Sequence, residues 1–436
     1  MNAFIVISKY IIILLCITYV FFAFISNSVQ ENKYGKLINR LQWCLIMGIH
    51  FTAYFVMGNI YSGKYYVLWL IQTMTIVILT ILYNYIYDDI SKPLYNNMIM
   101  LIVIGMIILG RLNFSDCIRQ FVFLSLTLFI GLFVPYIISR LKTLDKLSAL
   151  YATLGIALLL WTMFFGIVRN GAKNWISLGP VVLQPSEFAK ILFVFALAGF
   201  LSKRLTIKRF IITSAIAGAF VLILVAEKDL GGALLFYITF LVLVYIATNK
   251  LALLIFGVGA LSVMCIIAYH LFDHVKVRVT AFLDPFSVID NQGYQLTQSY
   301  FAIGSGGLFG TGLGKGYPQS IPVVKSDYVF SAISEELGAI VAVCVMLIYL
   351  SCFIAFLNVA VKMKSKFYKL LAVGIVVMFI VQVILNLGGV TGFLPATGVT
   401  LPLISQGGSS AVSVILMFSV IQGLYSINVK NKGGVS

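Results

Sequence analysis

The stretch Lys325–Phe356, KSDYVFSAISEELGAIVAVCVMLIYLSCFIAF, decides the class of this protein. After Asp327 it reads as one apolar helix, and the hydrocarbon core of a bilayer needs roughly 20 such residues per span. Three carboxylates, Asp327, Glu335 and Glu336, stand beside or inside that run. A carboxylate facing lipid at the centre of a span costs roughly 2.5–3.5 kcal/mol on insertion scales, so each of them needs a partner or a wet cavity. Adjacent residues on a helix point about 100° apart, so Glu335 and Glu336 require different partners.

The rest of the chain repeats the apolar pattern. Of its 436 residues 61% are hydrophobic and 10% charged. Apolar runs fall near 4–26, 41–61, 66–87, 97–113, 118–139, 147–169, 187–202, 210–226, 230–248, 251–272, 330–358, 368–388 and 404–427. They are continuous rather than alternating, which selects helices over a barrel. The expectation is an all-α polytopic membrane protein of about thirteen spans. The N-terminal run is long and lacks a small-residue cleavage site, so it reads as the first span.

A net charge of +16, from 30 basic and 14 acidic residues, raises the possibility of nucleic-acid binding. The cations are scattered over short loops and form no patch, which favours a topogenic role. NKYGKLINR, SRLKTLDK, SKRLTIKR, VKMKSKFYK and the tail VKNKGG fall on one side of the alternating spans. That side is expected to be cytoplasmic and to hold the C-terminus; an odd number of spans then leaves the N-terminus outside. The six cysteines show no CxxC and no metal-ligand spacing, and the three histidines are scattered. GSGGLFGTGLGKG (304–316) lacks the GK[ST] ending of a phosphate loop.

Three Gly- and Pro-rich segments, 169–190, about 273–329 and 388–410, fall on the opposite side. Irregular backbone near a membrane survives where it is buried in protein or lines a wet cavity, so these loops suggest an outward-facing cavity. In QPSEFAK, Pro185 and Glu187 suit a helix start, and Lys190 shares a face with Glu187 at i, i+3. Local capping and a functional ion pair both remain open there. EKDLGGALL places Glu227, Lys228 and Asp229 between two apolar runs, where a solvated turn is the default reading. Ser326 or Asp327 could simply cap the following helix.

NGAKNWISLGPVVLQPSEFAK, DLGGALL, FLDPF with GYQLTQSYFAIGSGGLFGTGLGKG, SDYVFSAISEELG and LPATGVTLPLISQGGSS occur in this order. Together they resemble the SEDS family (shape, elongation, division and sporulation), the FtsW/RodA/SpoVE-like peptidoglycan glycosyltransferases. The resemblance covers about residues 97–428. It implies a ten-helix core, with residues 1–96 holding about three additional transmembrane helices and 429–436 forming a cytoplasmic tail. It also implies polymerisation of lipid II into glycan strands on the outer face of the bacterial cytoplasmic membrane, with undecaprenyl pyrophosphate leaving. Asp327 occupies the position of the family's proposed catalytic Asp and would be the general base. The family's preceding His and Thr are Lys325 and Ser326 here, the upstream acidic residues are replaced by SIPVV, and Gln406 stands where Tyr is common.

Within the matching motifs Lys173, Trp175, Glu187, Lys190, Asp229, Ser405, Gly407 and Gly408 are candidates for substrate binding or the cavity. Lys173, Lys190 or Lys325 could offset the pyrophosphate charge, with a divalent cation (Mg or Mn) as a candidate companion and no organic cofactor. Glu335 and Glu336 are expected to be structural carboxylates. The implied partners are lipid II, the growing glycan strand and a class B penicillin-binding protein acting as transpeptidase; no nucleic acid is implied. A lipid II flippase and a non-catalytic scaffold for such a partner remain as alternatives.

Overall fold

The computed structural model describes residues 2–28, 33–141, 143–169, 172–179, 181–204 and 206–433. Positions 142 and 205 in two of the basic loops, and 434–436 of the expected tail, lie outside the described residues. The order is α1 (Asn2–Ser28), α2 (Lys33–Ile60), α3 (Lys64–Ile86), α4 (Lys92–Leu112), α5 (Phe114–Gly131), α6 (Val134–Arg140) and α7 (Ser148–Phe165). A small antiparallel sheet follows, β1 (Ile167–Arg169), β2 (Ala172–Leu178) and β3 (Val181–Leu183), in the order β1-β2-β3. Then come α8 (Pro185–Ser202), α9 (Ile207–Ala226), α10 (Leu230–Thr248), α11 (Leu251–Leu271), α12 (Asp273–Leu283), α13 (Tyr294–Gly306), α14 (Val329–Val361), α15 (Lys366–Thr391) and α16 (Gly408–Gly433).

Among the described residues, thirteen helical segments are long and apolar enough to cross a membrane, with α5 and α6 together making one of them. The chain is an all-α polytopic membrane protein carrying one small sheet between spans. Helix starts follow local chemistry. The Asn113 side chain accepts the Asp116 N–H at 2.9 Å, and Asp229 accepts that of Gly232 at 2.9 Å, each a side-chain cap on otherwise orphan donors. Pro185 opens α8, where its missing N–H leaves no bond unmade.

Burial separates the spans. Within its most apolar stretch α4 is 94% buried whereas α11 is 6% buried, so α4 runs through the centre and α11 faces outward. The first three helices are tied to that centre by polar contacts: for α2, Asn96 of α4 donates to Gln42 Oε1 at 2.8 Å, and for α3, the Tyr65 hydroxyl donates to the Gly110 carbonyl of α4 at 2.9 Å. Tyr19 donates to Asn97 Oδ1 at 2.8 Å, and the Nδ2 groups of Asn97 and Asn27 each reach Ser351 Oγ at 2.9 Å. Buried polar groups of this kind must find partners, so α1 is held against α4 and α14, and α2 and α3 are held to α4.

Three sequence expectations change. The segment 273–329 is not simply irregular, since it folds α12 and α13. The residues expected as a tail continue α16 through Gly433. The span beginning at Val329 is broken: Gly338 has φ 89° and ψ 165°, a backbone that side-chain-bearing residues rarely adopt. Its amide neighbourhood touches Gly310, where an added Cβ would lie 2.4 Å from the Gly310 nitrogen. The amides of Ala339 and Ile340 leave the helical pattern and donate to the carbonyls of Gly307 and Leu308. Backbone groups freed by the break are thus satisfied by the glycine-rich loop after α13.

Candidate functional site

The half-helix before Gly338 carries Glu335 and Glu336, Asp327 stands in the turn just ahead of it, and the structure treats the three carboxylates differently. Glu336 is 1% exposed and pairs with Arg111 Nε of α4 at 2.8 Å; its Oε2 also accepts the Gly314 N–H at 3.1 Å. Arg111 donates further to the Gly316 carbonyl at 3.1 Å. Glu335 turns away and accepts the Tyr317 N–H at 2.6 Å. The two carboxylates therefore hold the loop 310–317 from two sides, as their angular offset requires.

Asp327 is half-buried and lines a cavity of about 400 Å³. One wall is a face of α12, from which His274, Arg278 and Ala281 project; another is the segment 396–399. Gly398 packs between Arg278 and Asp327: a Cβ there would lie 3.5 Å from Arg278 Nη2 and 3.8 Å from Asp327 Oδ2. Burial pushes the Asp327 carboxyl above its ordinary value, opposed by the Ser326 hydroxyl and the Arg278 guanidinium. The backbone around Asp327 is clamped. Asn386 Nδ2 donates to the Asp327 carbonyl at 2.9 Å and to that of Val399 at 2.7 Å. The Ser405 hydroxyl donates to the Ser326 carbonyl while accepting the Leu401 N–H at 2.9 Å, and the Gln406 N–H reaches the Lys325 carbonyl at 2.7 Å.

A second polar cluster lies across the same loop. Lys190 is 2% exposed and sits 2.5 Å from Glu187, with Gln382 Oε1 at 2.9 Å. Ser413 donates to Glu187 at 2.6 Å, and Gln382 Nε2 donates to the Thr400 carbonyl at 3.0 Å. Lys190 thus reaches the 396–401 segment only through Gln382 and does not line the Asp327 cavity. Its ammonium group is paired with Glu187 and buried.

Asp229 joins the sheet to the helices. Besides capping α10, its carboxylate accepts from Asn174 of β2 at 3.0 Å and from Gln184 at 3.3 Å. Burial, with the Glu187 charge adding, pushes its carboxyl up, opposed by the bonds from Gly232 and Asn174 and by Arg278. Neighbouring Glu227, read from sequence as part of a solvated turn, is 1% exposed, and neither carboxyl oxygen has a hydrogen-bond partner. Burial, with Asp229 adding, pushes it up to about 8, so it is a neutral acid at pH 7.

The other candidates are placed as follows. Lys173 donates through Nζ to the Phe164 carbonyl at 3.1 Å, and Trp175 lies under the Arg169 guanidinium at 5.4 Å. Lys325 pairs with Asp116 at 2.7 Å. The Gly407 N–H faces Gln120 Oε1 at 3.4 Å, and Gly408 opens α16 against Phe123. All three lysines expected to supply positive charge are therefore engaged elsewhere. The cation at the cavity is Arg278, which sequence reading missed. Its signal was the i, i+4 spacing of His274 and Arg278 in DHVKVRVTAFL, which puts both on one helix face.

Among the described residues no three His, Cys, Asp or Glu side chains gather as a metal site, and Asp327 is the one carboxylate lining the cavity. That donor set does not fit a resident divalent cation held by protein ligands alone.

The chain matches the family described as cell cycle protein (FtsW, RodA, SpoVE) over residues 94–431. A peptidoglycan glycosyltransferase RodA of Mycobacterium bovis is 37% identical over 273 residues, covering 58% of this chain and 57% of the relative, so the chain spans little more than half of that protein's length. A probable peptidoglycan glycosyltransferase FtsW of Wigglesworthia glossinidia brevipalpis is 32% identical over 361 residues, covering 77% of this chain and 93% of that one. Among solved structures, a chain of a peptidoglycan synthase complex that coordinates polymerization and crosslinking superposes with TM-score 0.68 at 26% identity, covering 78% of this chain and 99% of that chain. The rod shape determining protein RodA of Thermus thermophilus gives TM-score 0.60 at 26% identity, over 78% of this chain and 97% of its own. A family match across most of the chain, with near-complete coverage of these folds, makes this protein a member of the FtsW/RodA/SpoVE family.

Proposed function

We propose that this protein is a peptidoglycan glycosyltransferase that polymerises lipid II into glycan strands. The observation that carries the reading is a raised, half-buried carboxylate, Asp327, sharing a cavity with the Arg278 guanidinium. A sugar hydroxyl is a weak nucleophile and needs a base within hydrogen-bond reach. Asp327 takes the proton of the acceptor GlcNAc 4-hydroxyl as that oxygen attacks the anomeric carbon of the donor MurNAc. The bond from that carbon to the pyrophosphate oxygen breaks, and undecaprenyl pyrophosphate leaves with the electron pair. One displacement inverts an α-linked donor to a β-linked product. Arg278 offsets the charge on the departing phosphates, a fixed cation in a site from which bulk water is partly excluded. A divalent ion, Mg or Mn, would enter as a companion of the pyrophosphate, with Asp327 its one available carboxylate; no step above depends on it.

The active face is the outer one. The basic loops at 140–146, 203–209 and 360–369 face the cytoplasm with the C-terminus, and the N-terminus is external, by the excess of Lys and Arg on that side. The product strand passes to a class B penicillin-binding protein acting as transpeptidase.

Purified protein given labelled lipid II, with and without such a partner, should form glycan strands. Absence of strands in both arms, from folded protein that binds lipid II, would move the reading to a scaffold or a lipid II flippase. Topology is tested separately by Thr206→Cys, which should resist a membrane-impermeant thiol reagent applied outside intact cells.

A further inference from the structure

At the far end of α4 from Arg111, about 30 Å away by helical rise, the start of α2, the end of α3 and the start of α4 enclose a cleft of about 690 Å³. Three cations line it, Lys36, Arg40 and Lys92, against one carboxylate, Asp88. Lys36 and Arg40 are i, i+4 and share a face of α2. Among the described residues none of the three cations enters an ion pair. The positive end of α4 adds to the same field. Trp43 also lines the cleft, and Leu37, Ile81 and Tyr85 on the flanking helices are exposed and apolar. One more observation points to a ligand. Asn39 lines the cleft, is 8% exposed, and its side-chain oxygen has no hydrogen-bond partner. Buried acceptors are normally satisfied, so a donor is missing there.

We propose that this cleft binds the headgroup of an anionic phospholipid that carries hydroxyl groups, phosphatidylglycerol being the simplest example. The three cations take the phosphodiester, a headgroup hydroxyl donates to Asn39, and the acyl chains run along the apolar faces of α2 and α3. Basic pockets between helices at the inner membrane face are suited to this chemistry. The site is built from α2 and α3, which precede the matched family region, together with the first turn of α4. Assignment to the inner leaflet rests on the orientation proposed above; the binding itself does not, and its test reads neither topology nor turnover.

The full-length protein is stripped of lipid, exposed to mixed phosphatidylglycerol and phosphatidylcholine vesicles, and its bound lipid is measured by native mass spectrometry. The expected result is about one retained phosphatidylglycerol per chain. Each cation near a membrane surface contributes about five-fold, so Lys36→Gln/Arg40→Gln/Lys92→Gln should lower retention on the order of 100-fold. Lys362→Gln/Lys364→Gln/Lys369→Gln removes three exposed cations from the turn after α14 and the first turn of α15, at the same end of the bundle, and should leave it unchanged. Asn39→Leu should erase the preference for phosphatidylglycerol over phosphatidic acid. If the triple cleft variant is not monodisperse, Lys36→Gln and Arg40→Gln alone, both at exposed positions, should each show the five-fold loss. Equal retention by the cleft variant and the wild type overturns the proposal. So does equal competition by soluble glycerol phosphate, which would mark a free-phosphate site, or occupation of the cleft by an acidic protein segment in place of lipid.

Discussion

Asp327 and Glu336 belong to one short stretch, yet one is left available and the other is consumed. Glu336 meets a guanidinium and a backbone amide and is 1% exposed, so its charge is spent on holding the loop 310–317. Asp327 has its backbone clamped by Asn386 while its carboxyl group lines a cavity beside Arg278. A carboxylate saturated by its neighbours stabilises a fold; one whose scaffold is rigid while its oxygens stay accessible can move a proton.

The strongest way to break this contrast is Asp327→Asn, which keeps the shape of the side chain but cannot accept a proton. Polymerisation of labelled lipid II should fall on the order of 10²–10⁴-fold while the melting temperature holds. Full activity would end the general-base reading.

Arg278→Gln comes next, with a loss on the order of 10²–10³-fold if it offsets pyrophosphate charge. It also carries a pH signature. Asp327 must be ionised to act, and Arg278 opposes the upward push of burial, so removing it should move the acid limb of the rate profile to higher pH. A limb that stays in place would separate Arg278 from Asp327.

Arg111→Met should act on stability instead. It strands Glu336 in a buried site, a change typically worth about 3–5 kcal/mol, and should lower the melting temperature while activity per folded molecule changes little. A large loss of specific activity without loss of stability would place Arg111 in the chemistry.

Glu227 gives a smaller, pH-dependent effect. Its folded value of about 8 lies above the ordinary 4.5, so the folded state holds a proton that the unfolded chain has lost. The stabilisation is complete below the ordinary value, declines as pH rises between the two, by at most about 1.4 kcal/mol per pH unit, and is gone above the folded value. Glu227→Gln should flatten this slope in thermal melts recorded across that range.

Glu335→Gln should be mildest. The amide oxygen can still accept the Tyr317 N–H, so a stability change of about 1 kcal/mol or less is expected, measured by melting temperature.

Thirteen spans, their alternation and the family motifs were legible in the sequence because hydrophobic length is a one-dimensional quantity. A run of apolar residues must become a helix in a bilayer whatever its neighbours do. The motif order likewise singled out Asp327 as the candidate base, a role that remains the proposal made above. The partners were a different matter. Lys190, Lys325 and Arg278 are all cations in or beside polar motifs; the i, i+3 spacing already offered Glu187 to Lys190, but only packing shows that Lys325 meets Asp116 while Arg278 faces the cavity. The break at Gly338 was equally hidden, since a glycine inside an apolar run is compatible with a straight helix. Here its backbone is diverted by Gly310, twenty-eight positions earlier in the chain. The sequence by itself determined where the chain crosses and which carboxylate heads α14. The tertiary structure decided which of the other charges are neutralised and which stay available, because pairs such as Lys325 and Asp116 come within a few ångströms from positions remote in sequence.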